Sequence, residues 1–201
     1  MVAIVDYGAG NLTSVIKAFH AVGADVRLID SIDGLAGAEA LVVPGVGHFA
    51  ATASLGPDWR AAVREAIDSG MPTLGICLGL QWLFEGSEEA PDTPGLGMIR
   101  GRCFRLEGPV KVPHVGWNTL DLPSRPSRLF DGIASGVSAY FTHSYAAPCV
   151  AETAATTTHA VSFSSAVERD LVFGVQFHPE KSGTTGLKIL TNFLRVARER
   201  R

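Results

Sequence analysis

Short apolar runs alternate with helix-length amphipathic stretches through the first half of the chain. This alternation constrains the fold more than any other feature. The run Val2–Val5 is followed by Gly8-Ala-Gly10 and an amphipathic stretch, Leu12–Val22; Asp25–Ile29 reads as a second strand, and Ala40–Val43 is another apolar run, ended by Pro44-Gly45. Pro57 opens a helical pattern through Trp59, Val63 and Ile67 to a stop at Gly70, Pro72–Ile76 reads as a strand and Leu78–Phe84 as the next helix. Strands alternating with helices of this length predict a parallel sheet covered on both faces. The second half changes character. Met98–Phe104, Thr119–Leu122, Ala139–Thr142, Ala160–Ser164 and Leu171–Phe177 are short strand candidates between Pro, Gly and polar turns, and a final helix is expected over Thr185–Arg198. These strands extend the sheet and add an antiparallel portion. The expected architecture is a single α/β domain over residues 1–201, with a mostly parallel open sheet flanked by helices.

Composition excludes several classes. Hydrophobic residues make up 46% and charged residues 18% of the 201, enough for a sizeable core and incompatible with intrinsic disorder. A formal net charge of −3 gives no global attraction for nucleic acid. The one basic cluster, Arg195–Arg201, reads as a last helical turn complementing the helix dipole. No apolar run approaches the roughly 18 residues that span a bilayer, and the opening Met1–Asp6 lacks a basic segment, so neither a membrane span nor a signal peptide is expected. Three irregularly spaced cysteines, Cys77, Cys103 and Cys149, form no disulfide framework or zinc motif, which points to a reducing cytoplasm and to no metal or cofactor.

Gly8-Ala-Gly10 lacks the third glycine of a dinucleotide fingerprint, since Thr13 stands there, and Asp30 is the nearest ribose ligand, so a tight turn is expected. Pro44-Gly-Val-Gly47 reads as a loop unless a nucleophile lies beside it, in which case its N–H groups can face a reacting oxygen.

Gly75-Ile-Cys77-Leu-Gly79 supplies that nucleophile. Gly-x-Cys-x-Gly between a strand and a helix is the thiol counterpart of the Gly-x-Ser-x-Gly elbow. A sharp turn lifts the side chain above the sheet, and the helix N-terminus lowers the thiol pKa and offers the Leu78 N–H to an oxyanion. A buried cysteine acting as a small hydrophobe is the alternative, and it is the reading for Cys103 and Cys149. Of six histidines, His178 ends an apolar strand and is followed by Pro179-Glu180, so it is expected at the sheet edge where the elbow lies. Glu180 can turn back to orient the ring, making Cys77, His178 and Glu180 a nucleophile, base and orienter. His20 reads as a surface or packing residue and His159 as part of a Thr-rich polar loop.

The segments Gly75–Gln81 and Phe177–Lys181 resemble the triad-type (class I) glutamine amidotransferases, whose sheet is flavodoxin-like. Val5–Asn11, Pro44–Phe49, Val112–Asn118 and Tyr140–Tyr145 narrow the resemblance to glutaminase subunits that serve a separate synthase, and together the motifs run from residue 5 past residue 181. Thr142, where an aliphatic residue is expected, and Trp82, where Leu is commoner, depart from the pattern. The resemblance implies hydrolysis of glutamine through a cysteine thioester. The oxyanion would be held by the N–H of Leu78 and one from the Pro44–Gly47 loop, that of Val46 after a peptide rotation, with Gly47 beside it. Gln81, Glu89, Ser144 and Tyr145 would bind the α-groups of glutamine, with Glu88 beside Glu89 nearly as well placed and both also readable as solvated helix-end charges. The implied partner is a (β/α)₈-barrel synthase subunit in a heterodimer, which takes the ammonia and yields imidazole glycerol phosphate and a purine-pathway carboxamide in histidine biosynthesis. Asn11, Trp117 and Lys181 are the candidate interface residues, Trp117 being equally readable as a core aromatic. A glutaminase serving another synthase, a free-standing cysteine hydrolase and an inactive scaffold are the alternatives.

Overall fold

The apolar run Val2–Val5 becomes β1, and all four of its residues are buried, as they must be when helices cover both faces of a parallel sheet. The computed structural model describes residues 1–199. In chain order β1 is followed by α1 (Leu12–Ala21), β2 (Val26–Ile29), β3 (Ala40–Gly45), α2 (Pro57–Asp68), β4 (Thr73–Cys77) and α3 (Leu78–Leu83). The second half holds β5 (Gly86–Ser87), β6 (Ala90–Pro94), β7 (Arg102–Arg105), β8 (His114–Leu120), β9 (Val137–His143), β10 (Tyr145–Ala146), β11 (Thr153–His159), β12 (Val161–Arg169), β13 (Val172–Val175) and α4 (Gly183–Arg198). The last two arginines of the C-terminal basic stretch lie outside the described residues.

Seven strands form the main sheet in the order β11-β12-β13-β4-β3-β1-β2. The five from β13 to β2 are parallel, and β12 and β11 add an antiparallel edge. The mostly parallel sheet with an antiparallel addition is therefore as expected. One face is packed by α1 and α4 through Val15, Phe19, Ile189 and Phe193, the other by α2 and α3 through Val63, Leu80 and Leu83. β10-β7-β5-β6 and the β8–β9 hairpin make two smaller sheets.

Two pairings position the site. β13 enters from the far end of the sequence and lies parallel to β4 with Val175 opposite Ile76, so Gln176 flanks Cys77 and His178 emerges just beyond it. On the other side of β4, Gly45 is opposite Cys77, which starts the Val46-Gly47 loop beside the sulfur. The chain turns outward from β1 to β2 on one side and to β3 on the other, and open sheets of this kind hold ligands beyond their strand ends at such a reversal.

Three expectations need correction. β8 begins at His114, five residues ahead of the expected start, because its alternation includes a glycine and an exposed Trp that mask the strand pattern. The Thr-rich stretch around His159 is a strand and not a loop. β-branched Thr suits a pleated edge, and β11 pairs with β12 from Thr153 to His159. Glu88 and Glu89 sit in the turn between β5 and β6, two strands whose shortness and Pro content hid them, and not at a helix end.

Candidate functional site

Cys77 ends β4 and caps α3 with φ 53° and ψ −103°, a backbone conformation that a non-glycine residue adopts only when its surroundings enforce it. The bracketing glycines are the enforcement. A Cβ on Gly79 would lie 1.7 Å from the Val43 carbonyl oxygen of β3, and one on Gly75 would lie 2.5 Å from the Gly79 carbonyl oxygen. The elbow can be this tight only with hydrogen at both positions. The result is a sulfur that is 5% exposed yet lines an open cavity.

Around that sulfur, Gln176 Nε2 donates to Cys77 Sγ at 3.6 Å, and Sγ lies 3.9 Å from the Thr142 carbonyl oxygen. Gln176 is a site residue that sequence reasoning passes over as part of an apolar strand; being polar and fully buried is its signal, and burial is not readable from the sequence.

His178 leaves β13 with its backbone pinned. Its N–H donates to the Tyr140 carbonyl at 2.8 Å, and its own carbonyl accepts from Ser182 Oγ at 2.7 Å. A 3-10 turn over Pro179–Lys181 brings Glu180 back, and Glu180 Oε1 lies 2.8 Å from His178 Nδ1. Both side chains are only 3% exposed. His178 Nε2 makes no hydrogen bond, and the ring lies within electrostatic reach of the Cys77 sulfur. A loose nucleophile–base contact is common before substrate binds. Burial alone would lower the proton affinity of His178, but Cys77 and Glu180 outweigh it and its pKa is pushed up to about 10. The surroundings thus favour an imidazolium at His178, braced by the Glu180 carboxylate.

A cavity of about 260 Å³ opens on Cys77, lined among others by Gly47, Leu78, Gln81, Glu89, Ser144 and Tyr145. Every residue assigned from sequence to glutamine binding therefore lines one cavity with the nucleophile. Gln81 Nε2 donates to the Tyr145 carbonyl at 2.9 Å, and Glu89 Oε2 accepts from the Phe49 N–H at 2.7 Å. Glu88 is exposed, and its carboxylate accepts from the Arg105 N–H instead. Leu78 is the first residue of α3, where a helix leaves its amides without intrahelical acceptors. Val46 is 37% exposed and Gly47 takes φ 107°, so this loop is free to present another donor.

A second, much smaller crevice is lined by His178 and Glu180 together with Asn11, Val15, Pro44, Val46 and Lys181. Lys181 Nζ lies 5.8 Å from the Tyr140 ring centre, and Trp117 meets the same ring edge-on at 6.0 Å. Trp117 is 59% exposed, so it is a surface aromatic and not a core one. Asn11 accepts the Ser14 N–H as the N-cap of α1. Of the other cysteines, Cys103 is buried as expected, whereas Cys149 is exposed and has no packing role. Trp82, one of the two departures from the family pattern, is fully buried away from the sulfur, while Thr142 lines the cavity through its strand. Among the described residues no His, Cys, Asp and Glu cluster could hold a metal ion.

A thiol at a strand-to-helix elbow, a histidine braced by glutamate and a polar cavity beside them form the arrangement that acyl transfer through a cysteine requires. The glutamine amidotransferase class-I family model matches residues 3–197. Imidazole glycerol phosphate synthase subunit HisH of Thermococcus kodakarensis is 48% identical, with 98% of this chain and 100% of that protein covered. The subunit of the same name from Moorella thermoacetica is 45% identical over 98% of this chain and 95% of its own. A crystal structure of a glutamine amidotransferase superposes with a TM-score of 0.76 at 19% identity, covering 98% of this chain and 100% of the other. The chain belongs to the class I glutamine amidotransferase family, alongside the HisH subunits to which it is similar.

Proposed function

We propose that this chain is the glutaminase subunit of an imidazole glycerol phosphate synthase, a single amidotransferase domain over residues 1–201. It hydrolyses glutamine to glutamate and ammonia and hands the ammonia to a synthase subunit in histidine biosynthesis. The Cys77 thiolate attacks the side-chain carboxamide of glutamine, its proton having passed to His178. The tetrahedral oxyanion is held by the Leu78 N–H and by one from the Val46-Gly47 loop. Collapse breaks the C–N bond, and His178 returns its proton to the departing ammonia, leaving a glutamyl thioester. Water, deprotonated by His178, attacks the thioester; glutamate leaves and the thiol is regenerated. Glu180 keeps the ring oriented and stabilises the imidazolium. Gln81, Glu89, Ser144 and Tyr145 meet the α-amino and α-carboxylate groups.

The observation that carries this reading is the position of His178. It is buried against the Glu180 carboxylate and within electrostatic reach of the Cys77 sulfur; Cys77 lines a substrate-sized cavity, and His178 and Glu180 line a small crevice. Ammonia is mostly protonated in neutral water and then useless as a nucleophile, so it must leave under cover. The crevice past Asn11 and Lys181 offers that route, towards the face that carries Trp117 and the exposed Val115. On that face we place a (β/α)₈-barrel synthase subunit, in a heterodimer. It would yield imidazole glycerol phosphate and a purine-pathway carboxamide nucleotide. Three unpaired cysteines support a reducing cytoplasm as the setting, and among the described residues no helix is long and apolar enough to cross a membrane.

Mixing the chain with the synthase subunit and glutamine tests the reading. Glutamate release is expected from the native chain and none from Cys77→Ser, with assembly of the two subunits unchanged. Retained glutamine turnover in that variant contradicts the nucleophile assignment, and release that is independent of the partner points to a free-standing hydrolase.

A further inference from the structure

In the wall of the glutamine cavity, which His143 itself lines, sits a pair of buried histidines that the reaction above does not use. His114 sits on β8 and His143 at the end of β9, 4% and 7% exposed, and the two strands pair these residues directly opposite each other. Their nitrogens are arranged in series. His143 Nδ1 is 2.9 Å from the Tyr145 carbonyl oxygen, His143 Nε2 is 3.0 Å from His114 Nδ1, and His114 Nε2 is 3.2 Å from Asn118 Nδ2.

The proton positions follow from the ends. A carbonyl oxygen only accepts, so His143 carries its proton on Nδ1, and in a neutral ring Nε2 is then an acceptor. His114 must therefore donate from Nδ1, which leaves its Nε2 to accept from Asn118. The Asn118 amide is fixed the right way round, because its Oδ1 accepts from the Thr119 N–H at 2.8 Å and its Nδ2 also donates to the Thr158 carbonyl at 3.0 Å. A second proton on either ring would point N–H at N–H. Burial, followed by neighbouring histidines, keeps both rings neutral, with pKa values lowered to about 4 for His114 and about 3 for His143. His159 stacks on His114 at 4.1 Å but turns its Nε2 to the Lys111 carbonyl, so it stands outside the series.

The series ends on a group that matters to the site. The Tyr145 carbonyl that receives the His143 proton also receives Gln81 Nε2. Gln81 Nε2 lies 3.3 Å from Gln176 Oε1, and Gln176 donates to the Cys77 sulfur. At its other end the series starts on β8, the strand that exposes Val115 and Trp117. We propose that His114 and His143 are positioning residues for glutamine, a neutral two-histidine relay of fixed proton direction that holds the Tyr145 peptide and the Gln81 amide in place on the cavity wall. The inference rests on the glutaminase reading of that cavity. It makes His143 a determinant of how glutamine is held and leaves the chemistry to Cys77 and His178.

The experiment compares glutamine kinetics of the assembled synthase carrying His143→Phe, which keeps a ring and removes both polar atoms, with His143→Asn, which restores one N–H near the Nδ1 position. Loss of a buried hydrogen bond is worth about 5- to 150-fold in an equilibrium. His143→Phe is expected to raise KM for glutamine about tenfold with a much smaller change in kcat, and His143→Asn to recover most of the loss. A parallel fall in kcat with KM unchanged, or an Asn variant no better than Phe, overturns the relay. Should His143→Phe fail to fold, Asn118→Leu decides: a KM rise in the same direction supports the relay, and an unchanged KM overturns it. The ¹⁵N shifts of the two rings in the free native chain give a reading that needs no activity. Both rings are expected as Nδ1–H tautomers at neutral pH, and an Nε2–H tautomer at His143 overturns the assignment. A native complex that releases no glutamate contradicts the glutaminase reading itself and leaves the tautomer measurement to judge the relay.

Discussion

Gly79 stands against the Val43 carbonyl so closely that a Cβ there would lie 1.7 Å from the oxygen. The neighbour is backbone in a central strand, buried on both faces, and it has no room to move aside. Gly79→Ala must therefore push α3 off β3 and relax the Cys77 elbow with it. Overpacking of this kind costs about 1–3 kcal/mol or more. The expected outcome is a lowered urea midpoint together with near-complete loss of glutaminase activity. An alanine variant that keeps both contradicts the role given to the bracket.

Glu180 touches only one nitrogen of His178, but through it sets the direction of the other. Glu180→Gln keeps the shape and removes the charge that stabilises the imidazolium. In a well-studied serine triad the corresponding change costs about 10⁴ in kcat. A fall in kcat of about 10²–10⁴ is expected here, with KM for glutamine little changed because Glu180 does not line the substrate cavity. Steady-state kinetics on the assembled complex check this, and a variant with native kcat removes Glu180 from the mechanism.

The buried histidines give the fold a defined acid response. An unfolded chain protonates histidine near 6.5, whereas His114 and His143 accept protons in the fold only at about 4 and about 3. Between these values the unfolded chain binds protons that the folded one refuses, so stability falls as pH drops from 6.5 through 4. His178 behaves oppositely. Its contribution is complete below 6.5 and is lost as pH rises towards about 10, so it adds no slope on the acid side. Urea unfolding of the native chain is expected to show a midpoint that decreases from pH 6.5 to pH 4.5. The slope should be shallower in His143→Phe, and equal slopes contradict the neutral assignment.

The Val46-Gly47 loop is exposed and starts beside the nucleophile, which makes it the adjustable part of the oxyanion site. A single oxyanion donor is typically worth roughly 3–4 kcal/mol of barrier. Glutamine hydrolysis by the lone subunit is therefore expected to be slow, and to accelerate when the synthase subunit binds its acceptor nucleotide. Val46→Pro, which deletes the N–H, should reduce the accelerated rate by about 10²–10³. Equal rates with and without the partner, or full acceleration in the proline variant, contradict the loop's role.

Much of the site was legible because its chemistry is written in short motifs. Gly75-Ile-Cys77-Leu-Gly79 dictates an elbow by sterics alone, and Pro179 fixes the turn that returns Glu180 to His178. The parallel core was legible because β1, β3 and β4 are continuous buried runs between helices of opposite periodicity. What stayed hidden depends on register. Nothing local tells that Gln176 faces Cys77, since this follows from β13 lying beside β4 across almost a hundred residues of sequence. His114 and His143 are 29 residues apart, and only the β8–β9 pairing brings them opposite. β11 was missed because its threonines satisfy a loop and an edge strand equally, and the partner strand made the choice.

The central claim is that Cys77 alone, of three free cysteines, is activated and sits in a glutamine-shaped cavity. Incubation of the native chain with a glutamine-mimicking diazoketone, followed by peptide mass spectrometry, tests it directly. The account predicts one adduct, on Cys77, that excess glutamine suppresses and that the synthase subunit accelerates. An adduct on Cys103 or the exposed Cys149, or labelling of Cys77 that glutamine does not slow, would contradict it.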